Sequence, residues 1–404
     1  MTIAKQGQSS SNPTNRPKRP RQPSTKLSPK SIQEFTGEVF GESMHAARLR
    51  SLGNGVVGVV NAAVLAIHAI GQAYARCARI MPRSGVKQID RLLSNDGLAM
   101  DALLRTWVRF IVGNRPEVVL AMDWTVFDAD SHSTLAVYAV TNHGRATPLA
   151  WRTFHKSKLK GNQKQYEFEM VERIHEWLDP SQRVTLLADR GFGDQKLYDF
   201  LGFLGWDYVI RFRGEIQVTS EHGVVHMAHD WVPPSGRATM LKNARVTANG
   251  FEVPAVVVVW DKKMKEPWCL ATSLSTYTAG QITKKYGRRF TIEETFRDQK
   301  DLHFGMGLKA THIRSAERRD RLLLLAAVAH VLLTLLGAAA ERCGMDRYLK
   351  VNTVSYRTHS LYRQGLYWYE AIPDMRKDWL VPLMKAFDQV VREHAQLCEI
   401  IGVL

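Results

Sequence analysis

The amino-acid sequence predicts an α/β protein in which a sheet-forming centre is flanked on both sides by helical regions, and three observations predict it. The chain reads as helical from 31 to 112 and changes period at Glu117, where short apolar runs begin. Those runs follow one another as three strands, a helix, a strand, a helix and a strand, the alternation of a layered α/β core. Residues 214–263 then break the alternation into strands alone, before a helical pattern resumes to the end of the chain.

Taken in order, residues 1–30 hold five prolines, many Ser, Thr and Asn, several Lys and Arg, and no acidic residue. Such a composition describes a disordered basic arm. In the helical stretch that follows, Ile89, Leu92 and Leu93 share one face, while Lys87, Arg91 and Arg105 leave the region a basic side. Residues 118–122 form a buried-strand run closed by Asp123, and 134–141 and 146–154 read as two more strands separated by the turn signal Asn142-His143-Gly144. Apolar residues recur at helical spacing over 163–178, 183–188 is a strand closed by Asp189, and 195–205 and 208–212 read as a helix and a fifth strand. Within the interruption, 216–219, 224–226, 239–241, 244–247 and 253–260 read as strands joined by Gly, Pro and Asn turns. The apolar run 322–340 is interrupted by His330 and Thr334 and preceded by Arg318, Arg319 and Arg321, which favours a helix buried in the protein over a membrane span.

A formal charge of +16 and a pI near 9.7 call for a polyanionic partner, nucleic acid or an anionic membrane surface. The four cysteines are far apart and form no CxxC pair, so they read as reduced thiols of a cytoplasmic protein. Residues 1–4 lack the apolar run of a signal peptide, and export is not expected.

The candidate chemistry centres on residues 286–300. Tyr286, Arg289, Glu293 and Lys300 stand at offsets of three, seven and fourteen from the first of them, so on one continuous helix they fall within an arc of roughly 60°. Glu294 points about 80° away from Tyr286, which selects Glu293. By itself such a face also describes a solvated, salt-bridged helix surface. Asp123 and Asp189 each end an apolar strand, where a capping or turn role is the rival reading. Together, three carboxylates brought from two strand ends and a helix would make a hard oxygen cage suited to Mg2+ or Mn2+ and to metal-assisted phosphodiester chemistry.

The pattern Tyr-x2-Arg-x3-Glu-x6-Lys, with two aspartates upstream, resembles the YREK signature of bacterial DDE transposases of the insertion sequence four family. The resemblance implies an RNase H-like, retroviral-integrase-like core with a β-rich insertion, an N-terminal helical DNA-end-binding region and C-terminal helices. It divides the chain into 1–30, a basic arm; 31–112, the end-binding region, which the segment 88–95 resembles; 113–213, the first part of the core; 214–265, the insertion; 266–345, the second part with the catalytic helix; and 346–404, a C-terminal helical region. It implies Asp123, Asp189 and Glu293 as catalytic ligands of two Mg2+ ions, with Mn2+ able to substitute. Arg289 and Lys300 are then phosphate clamps, Tyr286 a donor to the same DNA backbone, Arg190 an accessory contact, and Trp268 a stacking surface for a base flipped from a DNA hairpin. A core position is the competing reading of Trp268. The implied activity is cleavage at terminal inverted repeats through a hairpin intermediate, followed by transfer to target DNA by a dimer in a synaptic complex, in the cytoplasm and without a membrane. Two other classes stay open: a metal-dependent nuclease that joins nothing, and a non-catalytic DNA-binding regulator.

Overall fold

The computed structural model describes residues 29–301 and 305–392. The basic arm expected over 1–30 therefore lies outside the described residues but for its last two, which already open the first helix. Five helices follow: α1 (Pro29–Phe40), α2 (Ala46–Ala62), α3 (Ile67–Ala78), α4 (Pro82–Leu93) and α5 (Met100–Val112). Their apolar faces meet at Ile32, Phe35, Phe40, Leu52 and Trp107, all essentially without exposed surface. Trp107 donates its indole N–H to the Pro148 carbonyl at 2.8 Å, so the helical region is tied directly to the sheet.

The sheet begins with β1 (Glu117–Phe127), β2 (His132–Ala139) and β3 (Thr147–His155), an antiparallel meander. The helix α6 (Gln163–Trp177) crosses to β4 (Arg183–Ala188), parallel to β1, and α7 (Gln195–Phe203) crosses to β5 (Asp207–Phe212), parallel to β4. These elements follow the predicted order with ends displaced by no more than two residues, except that β1 runs on past the expected Met122 to Phe127.

The insertion does not stand apart. Its strands β6 (Gln217–Thr219), β7 (Val225–Met227), β8 (Thr239–Val246) and β9 (Phe251–Val259) join the same sheet, because β10 (Trp268–Thr272) pairs antiparallel with both β5 and β9. One ten-stranded sheet results, in the order β3-β2-β1-β4-β5-β10-β9-β8-β6-β7. The strands expected at 239–241 and 244–247 are one strand. The ladder to β9 passes from Lys242↔Ala255 to Ala244↔Val253, skipping Asn243, at φ 46°, and Pro254, which has no N–H to give.

After the sheet come α8 (Ala279–Gly287), α9 (Phe290–Lys300), α10 (Ala316–Arg342), α11 (Leu361–Ala371) and α12 (Lys377–Arg392). Among the described residues α10 is the one unbroken helix long and apolar enough to cross a membrane, and its apolar stretch is wholly buried, packed on β3, α2, α11 and α12. Its contact with α11 is backbone to backbone: a Cβ on Gly337 would lie 1.9 Å from the Leu361 oxygen, and one on Gly365 1.7 Å from the Leu333 oxygen. Only glycine permits that approach. At its start α10 grips the sheet, since Asp320 accepts the Thr153 N–H at 3.0 Å and Arg319 lies 3.9 Å over the Phe127 ring while pairing with Asp130.

Candidate active site

Parallel register brings the two aspartates together. Met122 pairs with Ala188, so the next residue of each chain segment, Asp123 and Asp189, emerges at the same edge of neighbouring strands. Asp123 does not end β1 as the sequence suggested. The strand runs on to Phe127 because β2 continues to pair with it, from Asp123↔Ala136 to Phe127↔His132, whereas β4 stops at Ala188. Asp123 thus sits where β1 loses its parallel neighbour. Its Oδ1 accepts the Trp124 N–H at 2.8 Å, and Asp189 accepts the Gly191 N–H at 2.8 Å to cap a short turn.

The continuous helix expected over 286–300 is two helices. Gly287 ends α8 and Phe290 begins α9, and between them the bonds tighten to three-residue spacing, Arg289 N–H to Tyr286 O at 2.9 Å and Ile292 N–H to Arg289 O at 3.0 Å. The break changes what each signature residue can do. Tyr286 turns inward and is 1% exposed, with Trp268 edge-on at 5.0 Å; burial raises its phenol pKa, against the pull of Arg289, to which it is hydrogen-bonded. The phenol, expected as a donor to a DNA backbone, lies buried beside Arg289.

Arg289, 5% exposed, bridges two of the three carboxylates: Nη1 lies 3.4 Å from Asp123 Oδ2 and Nη2 2.5 Å from Glu293 Oε1. The Phe290 ring lies 4.9 Å below the guanidinium. Burial pushes the Asp123 pKa up to about 6, opposed by Arg289 and reinforced by the negative charges of Asp189 and Glu293. Burial works against the charge on Arg289, but Tyr286, Asp123 and Glu293 outweigh it and its pKa is raised. Its Nε is buried without a hydrogen-bond partner among the described residues.

Glu293 lies in the first turn of α9 with a side chain 47% exposed. Glu294 faces elsewhere, paired with Arg297 and lying 3.6 Å from Arg145. Lys300, at the other end of α9, donates to Thr125 Oγ1 at 2.9 Å over the Phe127 ring, and burial lowers its pKa. A cleft of about 410 Å³ runs between Glu293 and Lys300, lined also by Trp124, Thr125, Arg297 and Lys309. Lys309 was legible only as part of a basic stretch, and Trp124 not at all.

The remaining candidates stand at the edge of this group. Arg190 is exposed and pairs with Glu266 at 3.1 Å, a carboxylate that Arg211 also holds at 2.9 Å. Trp268 is half-buried at the start of β10, nearly parallel to Phe290 at 5.6 Å. The nearby carboxylates Asp128, Asp130 and Asp194 are engaged with Lys156, with Arg319, and with the first turn of α7.

Sequence reasoning missed the residues that seat α9. Thr295 exchanges hydrogen bonds with the Ala146 backbone at 2.9 and 3.0 Å, Gln299 accepts from the Tyr138 hydroxyl at 3.0 Å, and the buried Asp298 pairs with Arg145. No local pattern announces contacts between positions about 150 residues apart.

As they stand, with the guanidinium between them, no three His, Cys, Asp or Glu side chains among the described residues lie close enough to hold a metal ion. The donor chemistry nevertheless suits a hard cation. Asp189 and Glu293 are both electrostatic neighbours of Asp123, whose burial holds it toward its neutral form, and Arg289 links Asp123 to Glu293.

A comparison with curated proteins finds no match. Residues 114–332, the span from just before β1 into α10 that carries all three carboxylates, match the family model described as Transposase DDE domain. With more than half of its length so matched, the chain belongs to the DDE transposases.

Proposed function

We propose that this transposase is a cut-and-paste enzyme of the insertion sequence four type, with Tyr286, Arg289, Glu293 and Lys300 as its YREK signature on an RNase H-like core. It would bind the terminal inverted repeats of its element as a dimer in the cytoplasm, cut the strands through a hairpin on the flanking end, and join the freed 3′ end to target DNA. The observation that carries this reading is the alignment of Asp123 beside Asp189 at the point where β4 ends, with Glu293 linked to Asp123 through Arg289.

Asp123, Asp189 and Glu293 are the residues that would hold two Mg2+ or Mn2+ ions. Such ions supply activation of a water or 3′-hydroxyl and stabilisation of the leaving oxygen. The chain's own groups do the rest. Lys300 and Lys309, on the wall of the cleft beside Glu293, attract the DNA backbone and fix the scissile phosphate. Arg289 has an unpartnered Nε and is the charge that can pass from carboxylates to phosphate oxygens. Trp268 offers the part of its ring not covered by Tyr286 and Phe290 to an unpaired base, and the exposed Arg190 serves as a further backbone contact.

The test uses the purified protein, Mg2+ and a labelled duplex containing the DNA that flanks its gene, with products resolved on a denaturing gel. Nicks, hairpins and joined products in succession are the expected outcome. Cleavage without hairpin or joining would make the protein a nuclease, and sequence-specific binding without cleavage in Mg2+ or Mn2+ would make it a regulator.

A further inference from the structure

The helices α3 and α4 are joined by only three residues, 79–81. Arg79 makes the turn with φ 54°, and the N–H groups of Arg79 and Ile80 both close onto the Ala75 carbonyl. Across the turn the helices touch backbone to backbone: a Cβ on Gly85 would lie 2.3 Å from the Gly71 oxygen, and one on Gly71 2.4 Å from Val86 Cα. Before them α2 bends away from α3 by 101°. Two helices packed backbone to backbone across a three-residue turn, with the second one presented outward, fit a helix-turn-helix.

The second helix is two-faced. Gly85, Ile89 and Leu92 point into the core, while Arg83, Lys87 and Arg91, each four residues from the last, are exposed and form no ion pair among the described residues. Eight residues of helix span about 12 Å, and the major groove of B-DNA is about 12 Å wide. The far end of α4 is braced. Asp90 pairs with Arg318 at 2.7 Å, and Arg321 donates to the Leu93 carbonyl at 2.8 Å, so α4 is fixed to the start of α10, which also grips the catalytic sheet.

We infer that α4 is a recognition helix, that Arg83 and Lys87 on its first two turns read guanine edges in the major groove of duplex DNA, and that Arg91 holds a flanking phosphate. This rests on the DNA-end binding proposed above and adds which helix, which groove and which base. Arg and Lys pair with the guanine O6 and N7 acceptors, whereas a helix that touched phosphates alone would carry no sequence information.

The full-length Asp123→Ala protein serves as parent, so that no cleavage enters the measurement. It is passed through rounds of selection on duplexes with a randomised core, and anisotropy then gives its affinity for the enriched duplex and for a scrambled one. The expected result is a motif containing guanine. Lys87→Ala, Arg83→Ala and the milder Arg83→Gln should each cut the ratio of the two affinities by about five- to a hundredfold. Arg91→Ala should weaken both duplexes alike and reduce the salt slope by about one. Each variant is checked by thermal melting, and exposed helix positions tolerate these side chains. Failure to enrich any motif, or an unchanged affinity ratio in the folded Arg83 and Lys87 variants, overturns the inference. Selection through α4 by a wild-type protein that never cuts its ends would leave it standing and sink the strand-cleavage reading instead.

Discussion

Arg289 and the carboxylates around it set the expectations at the scale of single residues. A buried guanidinium shared by Asp123 and Glu293 cannot be removed without leaving negative charge uncompensated in a poorly solvated place. Arg289→Met should therefore lower the stability of the metal-free protein by about 3 to 5 kcal/mol. Added Mg2+ should raise the melting temperature of that variant more than that of wild type, because the ions take over the missing charge. Equal shifts in scanning calorimetry would mean that Arg289 does not stand in for metal. Asp123→Asn, Asp189→Asn and Glu293→Gln should each slow strand cleavage by about 10³-fold or more, the loss of several kcal/mol of transition-state stabilisation. Glu294→Gln should stay within a few-fold of wild type. The distinction between the two glutamates was legible from 100° spacing, and the structure separates them in the same sense: one on Arg289, its neighbour on Arg297.

At the scale of elements, the break between α8 and α9 and the seam between α10 and α11 carry the tests. Trp268 leads β10 and packs on Tyr286 in the last turn of α8 and on Phe290, which opens α9. If its free ring surface stacks on a flipped base, Trp268→Ala should slow hairpin formation roughly tenfold to a hundredfold while the first nick stays near normal, given about 1 to 3 kcal/mol per stacked base. Measured on intact and pre-nicked ends, equal slowing of both steps with a large fall in melting temperature would assign the ring to packing alone. The seam holds His330, stacked on Tyr362 at 4.5 Å, and near it His143 of the β2–β3 turn. Burial pushes both imidazoles down to about 3, with positive neighbours adding to the effect. Below about pH 6.5 the unfolded chain binds protons that the folded one refuses until about 3. Each histidine thus removes stability as pH falls through that window, at up to about 1.4 kcal/mol per pH unit. His330→Phe keeps the stack and should flatten the loss between pH 6 and 4, read from urea midpoints; an unchanged slope would refute the assignment.

For the whole molecule the excess of 16 positive charges is the governing quantity. Contact with roughly six phosphates would make affinity fall about 10³-fold between 50 and 200 mM salt, linearly on logarithmic axes. A flat response in a titration of the intact chain would assign the charge to another task. Thr295, Asp298 and Gln299 fasten α9 to the meander, while the face bearing Glu293 and Lys300 is left to the cleft.

The three carboxylates stood out in the sequence through the resemblance of Tyr-x2-Arg-x3-Glu-x6-Lys and its two upstream aspartates to a known signature, whereas the order of strands and helices and the burial of α10 were legible from the residues themselves. That order and that burial rest on short-range periodicity, since alternation of two and spacing of 3.6 declare which face of an element is apolar before any partner is known. Tertiary structure alone decided that β1 runs past Asp123, because strand length depends on how far β2 keeps pairing. It also decided that the insertion shares the sheet, through the double pairing of β10. The helix over 286–300 carries an unbroken helical pattern, yet it tightens and breaks at Arg288 and Arg289 where Tyr286 is drawn in beside Trp268. That one turn moves the phenol into the core and sets the guanidinium between Asp123 and Glu293. Its partner Asp123 lies 166 positions away, so no window of the sequence contains both ends of the contact.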